Sequence, residues 1–323
     1  MKAIVQVLSA ALLALSSAWA LAQGAYPNRP IRLIVPYPPG GSTTAASQLL
    51  APRLAKSMGQ QVIVDNRPGG NTVIGSQATA RAPADGYTVL LVTSTHAINP
   101  LMMRDLPYDS IRDFTPIGTV LNTYYLLAIH PGVPAQTLAE FIALARKSPK
   151  SINYGSVGSG GAVHLASELF NSVAGVDTQQ VPYKGTGPLV TDLMAGRVQF
   201  FINNTLNLAP MVKVGKLRGL AVSGEQRSGV LPEVPTFAEA GLPGYKAGNW
   251  FGLLGPAGLP RDILARLSGE LMKIIGSPEV REELNRQGLD PFASTPDQFA
   301  ALIKSDMARF ATLVESAGIK MEN

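Results

Sequence analysis

The chain has no cysteine among its 323 residues. This absence excludes disulfide bonds, zinc sites built on thiolates, a thiol nucleophile and a lipid-modified cysteine. Charged side chains are also scarce: they make up 15% of the sequence, against about 25% in an average soluble domain. The formal net charge is only +5, and no run of lysine and arginine occurs. This charge distribution argues against nucleic acid as a partner and weakly favours small anionic molecules.

The motifs of common nucleotide-binding and hydrolytic enzymes are missing. Gly158 and Gly160 are followed by Val163, where a G-x-G-x-x-G motif needs its third glycine, and no G-x-x-x-x-G-K-[ST] motif occurs. The chain also lacks G-x-S-x-G, H-E-x-x-H and H-x-x-x-H, and it has only three histidines. We therefore expect no cofactor, no metal site and no enzymatic activity. An exported hydrolase of small acids is the less favoured alternative.

The first 22 residues have the features of a secretory signal peptide. Lys2 provides a basic start, an apolar stretch runs from Ala3 to Ala18, and Ala20-Leu21-Ala22 is typical of a cleavage site before Gln23. A permanent membrane anchor is the alternative, but polar residues interrupt the apolar stretch. We expect export to the periplasm with cleavage near Ala22–Gln23.

Apolar runs typical of strands alternate with segments of helical periodicity along the rest of the chain. The strand-like runs lie at residues 31–36, 62–64, 88–93, 153–154, 180–181, 198–202 and 217–222. The helical patterns lie at residues 43–58, up to about 81, 137–147, 161–173 and 188–195. This alternation predicts an α/β fold with parallel-rich sheets flanked by helices.

The length of the chain predicts two lobes, because a single hydrophobic core stops growing at roughly 250–300 residues. Helical patterns near 262–275, 278–287 and 295–317 close the chain, and we expect them to pack back on the first lobe. Domain 1 then comprises residues 23–122 and 249–323, and domain 2 comprises residues 123–248. The hinge crossovers are expected near 117–130 and 245–256, so that the lobes close like a clam. Two independent lobes in series are the alternative.

Two glycine-rich loops each follow a strand and open a helix, one in each lobe. They are residues 38–44 (Pro-Pro-Gly-Gly-Ser-Thr-Thr) and 155–161 (Gly-Ser-Val-Gly-Ser-Gly-Gly). Glycines let the main chain approach a ligand closely, and first-turn N–H groups at the positive end of a helix dipole bind anions. Ligands of open α/β sheets bind outside the carboxyl ends of the strands, so we expect both loops to line one cleft. Ordinary tight turns are the alternative for each loop.

Two of the three histidines lie next to these elements. His96 comes just after the third strand-like run, and His164 lies in the first turn of the helix after the second glycine-rich loop. Both are candidates for hydrogen-bond donors to a ligand in the cleft. The alternative is that local backbone groups satisfy each ring.

Several spaced motifs resemble the Bug family, the periplasmic solute receptors of tripartite tricarboxylate transport systems. They occur in order at residues 26–43, 64–70, 85–88, 108–114, 181–185, 215–221 and 234–241. The resemblance implies a two-lobed type II periplasmic binding protein, a Venus flytrap that closes on a small organic acid. It also implies transient delivery of the acid to membrane permease subunits that use secondary transport rather than ATP.

Family members are similar in holding the ligand carboxylate with the loop matching Gly40–Thr43, the turn matching Ser94–His96 and the second-lobe loop matching Ser156–Gly161. Main-chain N–H groups and ordered water carry much of that contact. The ligand-binding residues predicted for this chain are Tyr37, Pro39, Gly40, Gly41, Ser42, Thr43, Ser94, Thr95, His96, Ser156, Gly158, Ser159, Gly160, Gly161, His164, Tyr183 and Asn203.

Two positions depart from the family pattern. Many relatives carry Asp where this chain has Thr44, and many have an acid near the position of Asn203. Without these carboxylates the cleft is expected to favour a di- or tricarboxylate, or an aromatic carboxylate, over an amino acid with its ammonium group. A sensory receptor that binds the same ligand class and signals to a membrane kinase is the alternative function. We expect the receptor to be a monomer.

Overall fold

A computed structural model describes residues 26–158 and 160–316. The predicted signal peptide, its cleavage point at Ala22–Gln23 and Ser159 lie outside the described residues. The strands are β1 Ile31–Val35, β2 Val62–Asn66, β3 Thr88–Thr93, β4 Phe114–Ile129, β5 Asn153–Val157, β6 Gln179–Tyr183, β7 Phe200–Asn204, β8 Arg218–Val222, β9 Gly248–Pro256 and β10 Asp290–Pro291. The helices are α1 Ser42–Met58, α2 Val73–Ala80, α3 Thr95–Met102, α4 Leu138–Lys147, α5 Ala162–Ala174, α6 Thr186–Met194, α7 Thr205–Lys213, α8 Arg261–Gly276, α9 Pro278–Arg286 and α10 Pro296–Ser316.

Local sequence explains where several helices begin and end. The Oγ1 atom of Thr137 accepts a hydrogen bond from the backbone N–H of Glu140 and so caps α4. Ser277 caps α9, and Pro278 occupies its first turn, where a missing N–H costs little. Helix α1 stops at Gly59, which adopts the left-handed conformation (φ 73°) that glycine favours.

The strands form one twisted path in the order β2-β1-β3-β9-β4-β7-β5-β6, with β8 and β10 also paired to β4. Strand β1 is parallel to β2 and β3, and β5 is parallel to β6 and β7. Strand β9 runs antiparallel to both β3 and β4. The predicted α/β fold is therefore confirmed, but its sheet is mixed: parallel pairs form the outer part of each half, and the pairs around β4 and β9 are antiparallel.

The long strand β4 joins the two lobes. Its residues from Phe114 to Tyr124 pair with β9, whereas those from Tyr125 to Ile129 pair with β7. We define lobe 1 as β1–β3, β9, β10 and the first part of β4, and lobe 2 as β5–β8 and the second part of β4. The chain returns to lobe 1 where Gly248 lies opposite Tyr124, so the two connections run side by side.

Helices cover both faces of each half of the sheet. In lobe 1, apolar side chains of α1 and α8 form one core, and those of α2, α3 and α10 form another. In lobe 2, α4 and α5 pack on one face and α6 and α7 on the other. Each of the two lobes therefore has an apolar core on both faces of its part of the sheet. This agrees with the even spread of hydrophobic residues along the chain. None of the described helices is long and apolar enough to cross a membrane.

Helix α10 packs on lobe 1 through a close contact between Phe299 and the backbone of β9. Phe299 is fully buried and meets the Trp250 ring edge to face at 5.2 Å. The indole N–H of Trp250 donates to Asp306 Oδ2 at 2.7 Å. A Cβ atom added to Gly252 would lie 2.3 Å from Phe299 Cζ, so only glycine lets the phenyl ring approach this strand.

Two helices have no counterpart in the predictions from sequence. Helices α3 and α7 each begin directly at the end of a strand, without a glycine-rich loop before them. Each also contains a proline, Pro100 or Pro210, which normally indicates a break. A proline in the interior of a helix removes a hydrogen bond and is costly. Tertiary packing offsets this cost: α3 packs on β3 and α10, and α7 packs on β4, β7 and β8.

Helix α3 carries His96 into the interior of lobe 1 rather than to the edge of the cleft. The ring is 2% exposed, stacks on Tyr108 and meets Phe114 edge to face. Its Nε2 atom lies 2.9 Å from the carbonyl oxygen of Ser110, which can only accept, so Nε2 carries the proton. Burial lowers the pKa of His96 to about 4. The expectation that His96 reaches the cleft is therefore not met, because β3 continues into a helix that turns this side chain inward.

This buried neutral histidine makes stability depend on pH. The pKa of His96 is about 4 in the folded protein and about 6.5 when unfolded, so the unfolded chain binds more protons between these values. We expect the free energy of unfolding to fall as the pH drops from about 6.5 towards 4, by up to about 1.4 kcal/mol per pH unit from this group. Urea unfolding followed by circular dichroism measures the slope. His96→Gln is expected to flatten it, and equal slopes in this variant and the natural protein would contradict the assignment.

Two glycine substitutions, one at the contact between α10 and β9 and one in α8, are expected to change stability in opposite directions. Gly252→Ala forces a methyl group against Phe299 and is expected to destabilise the protein by about 1–3 kcal/mol. Gly269→Ala lies in α8 with nothing within 4 Å of the new methyl group, and is expected to stabilise by about 0.5–1 kcal/mol. Chemical denaturation of both variants checks the two signs. A stable Gly252→Ala protein would mean that α10 does not pack as described.

Candidate functional site

A cavity lies between the two lobes, where the carboxyl ends of the parallel strands meet. The space inside it that a water-sized sphere can reach is about 60 Å³, room for a few water molecules. The described residues that line it are Tyr37, Pro38, Gly41, Ser42, Thr43, Asn71, Thr93, Thr95, Val157, Ala162, Val163, Gly185, Thr186, Asn203, Asn204, Asn207, Asn249 and Phe251. None of these residues is Asp, Glu, Lys or Arg.

The starts of six helices surround this cavity. The first turns of α1, α3, α5, α6 and α7 contribute lining residues, and Asn71 lies just before α2. In none of the six does the side chain of the N-cap residue accept a hydrogen bond from the first turn. Side chains from outside two of these helices do accept one: Thr93 Oγ1 from the Thr95 N–H, and Thr95 Oγ1 from the Ala162 N–H. First-turn N–H groups have no partner within their own helix and carry the positive end of its dipole. The cavity wall is therefore positive although it has no cationic side chain.

Acidic residues are distributed in keeping with this arrangement. No first turn among the six helices around the cavity contains Asp or Glu. Each of the four other described helices has one, namely Glu140, Asp262, Glu279 and Asp297. An acid in the first turn stabilises a helix by about 0.3–1 kcal/mol. The six helices at the cavity lack that stabilisation, so the positive ends of their dipoles are not neutralised by an acid in the first turn.

The helix starts form two groups, and each group draws on both lobes. In the first, α1 of lobe 1 meets α6 and α7 of lobe 2: Asn204 Nδ2 donates to Ser42 Oγ at 2.8 Å, and a Cβ on Gly41 would lie 3.6 Å from Thr186 Oγ1. We call this group pole 1.

Pole 2 brings α2 and α3 of lobe 1 against α5 of lobe 2. The backbone N–H of Ala162 donates to Thr95 Oγ1 at 3.4 Å. The Oδ1 atom of Asn71 lies 3.0 Å from the position of a Cβ on Gly161. The cavity therefore has two places at which helix N-termini from opposite lobes converge, and these contacts across the cleft show the lobes in a closed arrangement.

Asn203 presents a free hydrogen-bond donor. Its Oδ1 atom accepts from the backbone N–H of Asn204 at 2.7 Å, which fixes the orientation of the amide. The remaining Nδ2 group is buried and has no partner. A buried N–H without a partner is costly, so Asn203 is suited to donate to an oxygen of a ligand.

Tyr37, Thr93 and Phe251 form the wall next to the hinge strands. The hydroxyl groups of Tyr37 and Thr93 lie 2.8 Å apart, and Thr93 pairs with Phe251 across β3 and β9. Burial raises the pKa of Tyr37 above its usual range. The phenol therefore stays protonated at neutral pH and acts only through hydrogen bonds and its apolar ring.

The structure brings six of the predicted ligand-binding residues to the cavity. They are Tyr37, Gly41, Ser42, Thr43, Thr95 and Asn203. Pro39 and Gly40 are exposed on the same loop beyond the lining, and Thr44 Oγ1 accepts from the Gly40 N–H at 2.9 Å to close that loop. A contact of these residues with a ligand stays a prediction.

Most of the second glycine-rich loop supports the cavity wall rather than lining it. Ser156 Oγ donates to the Gly158 carbonyl at 2.9 Å, and His164 Nδ1 accepts from the Gly160 N–H at 2.8 Å. Gly158 and Gly160 adopt left-handed φ values of 74° and 69°, which only glycine adopts readily. These groups hold the turn that presents Val157, Ala162 and Val163 to the cavity, and Gly161 directly precedes α5.

Two more predicted residues lie away from the lining. Ser94 is fully buried and donates through both its N–H and its hydroxyl to Asn249 Oδ1, so it ties β3 to β9 next to the hinge. The Tyr183 hydroxyl donates to Asp192 Oδ2 at 2.8 Å at the outer edge of lobe 2. Both are occupied by protein partners in this closed arrangement.

Several lining residues have no place in the prediction from sequence: Asn71, Thr186, Asn204, Asn207 and Asn249. Two of them carry a signal that the first glycine-rich loop shares. Asn71 follows Gly69-Gly70 after β2, and Thr186 follows Gly185 after β6. A glycine followed by a polar residue between a strand and a helix therefore marks the cavity at each of these turns. Asn207 and Asn249 lie within a helix and a strand and have no such signal.

The arrangement is suited to binding rather than to catalysis. The lining combines backbone donors, amides and hydroxyls, and it lacks a paired nucleophile and base among its described residues. No group of three His, Asp or Glu side chains in the described residues is placed to hold a metal ion. The described side chains that line the cavity are therefore uncharged, and the positive potential at its wall comes from the helix N-termini.

Comparisons with known proteins agree with this geometry. The family described as tripartite tricarboxylate transporter family receptor matches residues 46–319. The protein BugT of Bordetella pertussis is 37% identical over 299 residues, which cover 92% of each chain. The structure of Rpa4515 from R. palustris with adipate has a TM-score of 0.89 at 35% identity, covering 92% of this chain and 100% of that one. MatC from Rhodopseudomonas palustris with bound malate has a TM-score of 0.84 at 28% identity, covering 90% and 100%.

The match extends over most of the described chain, and the two-lobed architecture is shared with the periplasmic binding protein BugD. The chain therefore belongs to the tripartite tricarboxylate transporter receptor family, whose members are periplasmic solute-binding proteins and not enzymes.

Proposed function

We propose that this receptor captures a dicarboxylate in the cavity between its lobes and delivers it to the membrane subunits of a tripartite tricarboxylate-type transporter. The observation that carries the proposal is the pair of poles, each formed by three helix N-termini from both lobes. A carboxylate at each pole would receive backbone N–H donors from both lobes at once. A ligand with two carboxylates satisfies both poles.

The uncharged lining supports the preference for a dianion over an amino acid. An ammonium group needs a carboxylate or several carbonyl acceptors in a buried site. No described lining residue is Asp or Glu, and Asn203 contributes a neutral amide. The one donor of Asn203 without a partner also suits an anion. Phe251, Tyr37 and Val157 would pack on the carbon chain between the carboxylates, or on the ring of an aromatic acid.

The same geometry supports a flytrap movement about the two adjacent connections. We assign residues 23–122 and 249–323 to domain 1 and residues 123–248 to domain 2, with crossovers near 117–130 and 245–256. Strand β4 changes its pairing partner after Tyr124, which lies in the first crossover range. Tyr124 pairs with Gly248, which lies in the second range. Bonds across the cleft, such as Asn204 to Ser42, would form on closing and break on release.

The ligands of related structures support this substrate class, since one neighbour holds adipate and another malate. We place the receptor in the periplasm after removal of residues 1–22, and we expect it to act as a monomer that meets its permease transiently. Deletion of the gene, followed by separate measurements of uptake and gene induction, distinguishes delivery to a permease from signalling to a kinase.

Ligand titration tests the proposal directly. Thermal shift and calorimetry are run with adipate, L-malate, benzoate, L-aspartate and L-glutamate. A ligand present at about 1,000 times its Kd stabilises the folded state by about 4 kcal/mol, so adipate or malate is expected to raise the Tm clearly. Stabilisation by aspartate or glutamate, with no effect of dicarboxylates or aromatic acids, would overturn the substrate class.

An acidic side chain introduced at pole 1 is expected to compete with the ligand carboxylate for the helix N-termini. Thr186→Asp puts a carboxylate in the first turn of α6, where it stabilises the ligand-free protein by about 0.3–1 kcal/mol. Because it neutralises the positive wall and repels the ligand, we expect the affinity for adipate or malate to fall at least about 100-fold. Calorimetry measures the affinity and denaturation the stability.

Thr186→Asn is the matched control, since asparagine has nearly the same shape as aspartate but carries no charge. Its affinity is expected to stay within about fivefold of the natural protein. An equal loss in both variants would show that bulk rather than charge matters at this position.

A further inference from the structure

The turn before α2 has an unusual backbone. Asn71 and Thr72 follow each other with φ values of 49° and 77°. Two successive left-handed residues without glycine are strained, by about 1–3 kcal/mol each, and persist only when their surroundings hold them. This turn also places Asn71 in the cavity wall at pole 2. Something in lobe 1 must therefore hold the turn in place.

Asn99 of α3 holds it. Its side chain is completely buried, and its Nδ2 group lies 2.9 Å from the Asn71 carbonyl and 3.2 Å from Thr72 Oγ1. The Oδ1 atom of Asn99 accepts from Asn71 Nδ2 at 3.0 Å. Behind it, the Tyr108 hydroxyl lies 3.3 Å from Asn99 Nδ2. One buried amide thus contacts the main-chain carbonyl and the side chain of Asn71 and the side chain of Thr72.

These bonds also decide which way the Asn71 amide points. A main-chain carbonyl can only accept, so the contact with the Asn71 carbonyl identifies the Asn99 nitrogen. The other end of Asn99 is then an acceptor, which requires the nitrogen of Asn71 to face it. The oxygen of Asn71 is left to face lobe 2.

That oxygen meets the turn that leads into α5. A Cβ atom on Gly161 would lie 3.0 Å from Asn71 Oδ1, and one on Gly158 would lie 3.5 Å from it. Both positions are glycine, so the main chain of lobe 2 approaches Asn71 without a side chain between them. Asn71 is therefore a contact across the cleft, and its direction is set by Asn99, which is not among the described lining residues of the cavity.

We propose that Asn99 is a positioning residue for lobe closure: it holds the strained Asn71–Thr72 turn so that Asn71 meets the second-lobe turn of Gly158 and Gly161. Asn99 acts through Asn71 and does not contact the ligand. Its effect on ligand affinity rests on the proposed dicarboxylate function, whereas its effect on the contact between the lobes does not.

The first experiment measures the contact without any ligand. Hydrogen–deuterium exchange of peptides spanning residues 157–163 is compared in the natural protein, Asn99→Ala and Asn71→Ala. Both variants are expected to exchange faster in this segment, because the contact from lobe 1 is lost or misdirected. Asn71→Ala changes a half-buried side chain and keeps the test valid if Asn99→Ala fails to fold. Unchanged exchange in the folded variants would overturn the proposal.

The second experiment separates positioning from general loss of stability. Asn171→Ala is the control, because Asn171 is 8% exposed, is bonded to Thr178 and Glu168, and lies at the far end of α5. Well below the Tm, Asn99→Ala is expected to bind adipate or malate about tenfold more weakly with faster dissociation, and Asn171→Ala to bind within about twofold of the natural protein. Equal losses in the two variants would overturn the proposal.

Rescue by glycine completes the test. Thr72→Gly removes the strain of the left-handed conformation, so in the Asn99→Ala background it is expected to recover most of the slow exchange and of the affinity. A double variant no better than Asn99→Ala would contradict a role through this turn. If no acid binds the natural protein, the proposed substrate class fails while the exchange experiment still decides the role of Asn99.

Discussion

The positive ends of six helices point into one cavity whose described lining has no charged side chain, and much of the architecture follows from this arrangement. Positive ends of helix dipoles that converge repel each other, which is unfavourable unless an anion binds between them or water screens them. First-turn acids, present in each of the other four described helices, would relieve the conflict internally and are missing from these six. The low charge of the chain thus agrees with a site in which main-chain groups supply the electrostatics.

Topology brings these ends together. Parallel strands followed by helices place every helix start at the same edge of a sheet, and the exchange of partners within β4 sets the two edges opposite each other. Because each pole takes N-termini from both lobes, neither lobe alone holds a complete anion site. Binding is thereby coupled to closure through geometry, without a charged residue that would have to be desolvated each time the lobes meet.

The alternation of strands and helices and the position of the first glycine-rich loop could be predicted from sequence, because each depends on local periodicity or on glycine. The cavity role of Asn207 and Asn249 could not, since an asparagine in a helix or strand has no local signal of its direction. His96 was misplaced because its chemistry suggested a ligand contact, whereas the fold turns it into an aromatic cluster with Tyr108 and Phe114. Helices α3 and α7 were not predicted because each contains a proline, which normally breaks a helix. Tertiary packing of the two helices outweighs the cost of these prolines.

The five asparagines of the lining show why neutral amides serve this cavity better than cations. An amide can accept from the protein with one end and donate with the other, as Asn203 does between the Asn204 N–H and the cavity. A lysine or arginine would bind an anion more strongly from one lobe, but it would also pay a large desolvation penalty whenever the empty lobes closed. Amides fixed by buried neighbours lose less on closing and can release the ligand when the lobes part. Affinity then resides in the alignment of two lobes rather than in any single residue.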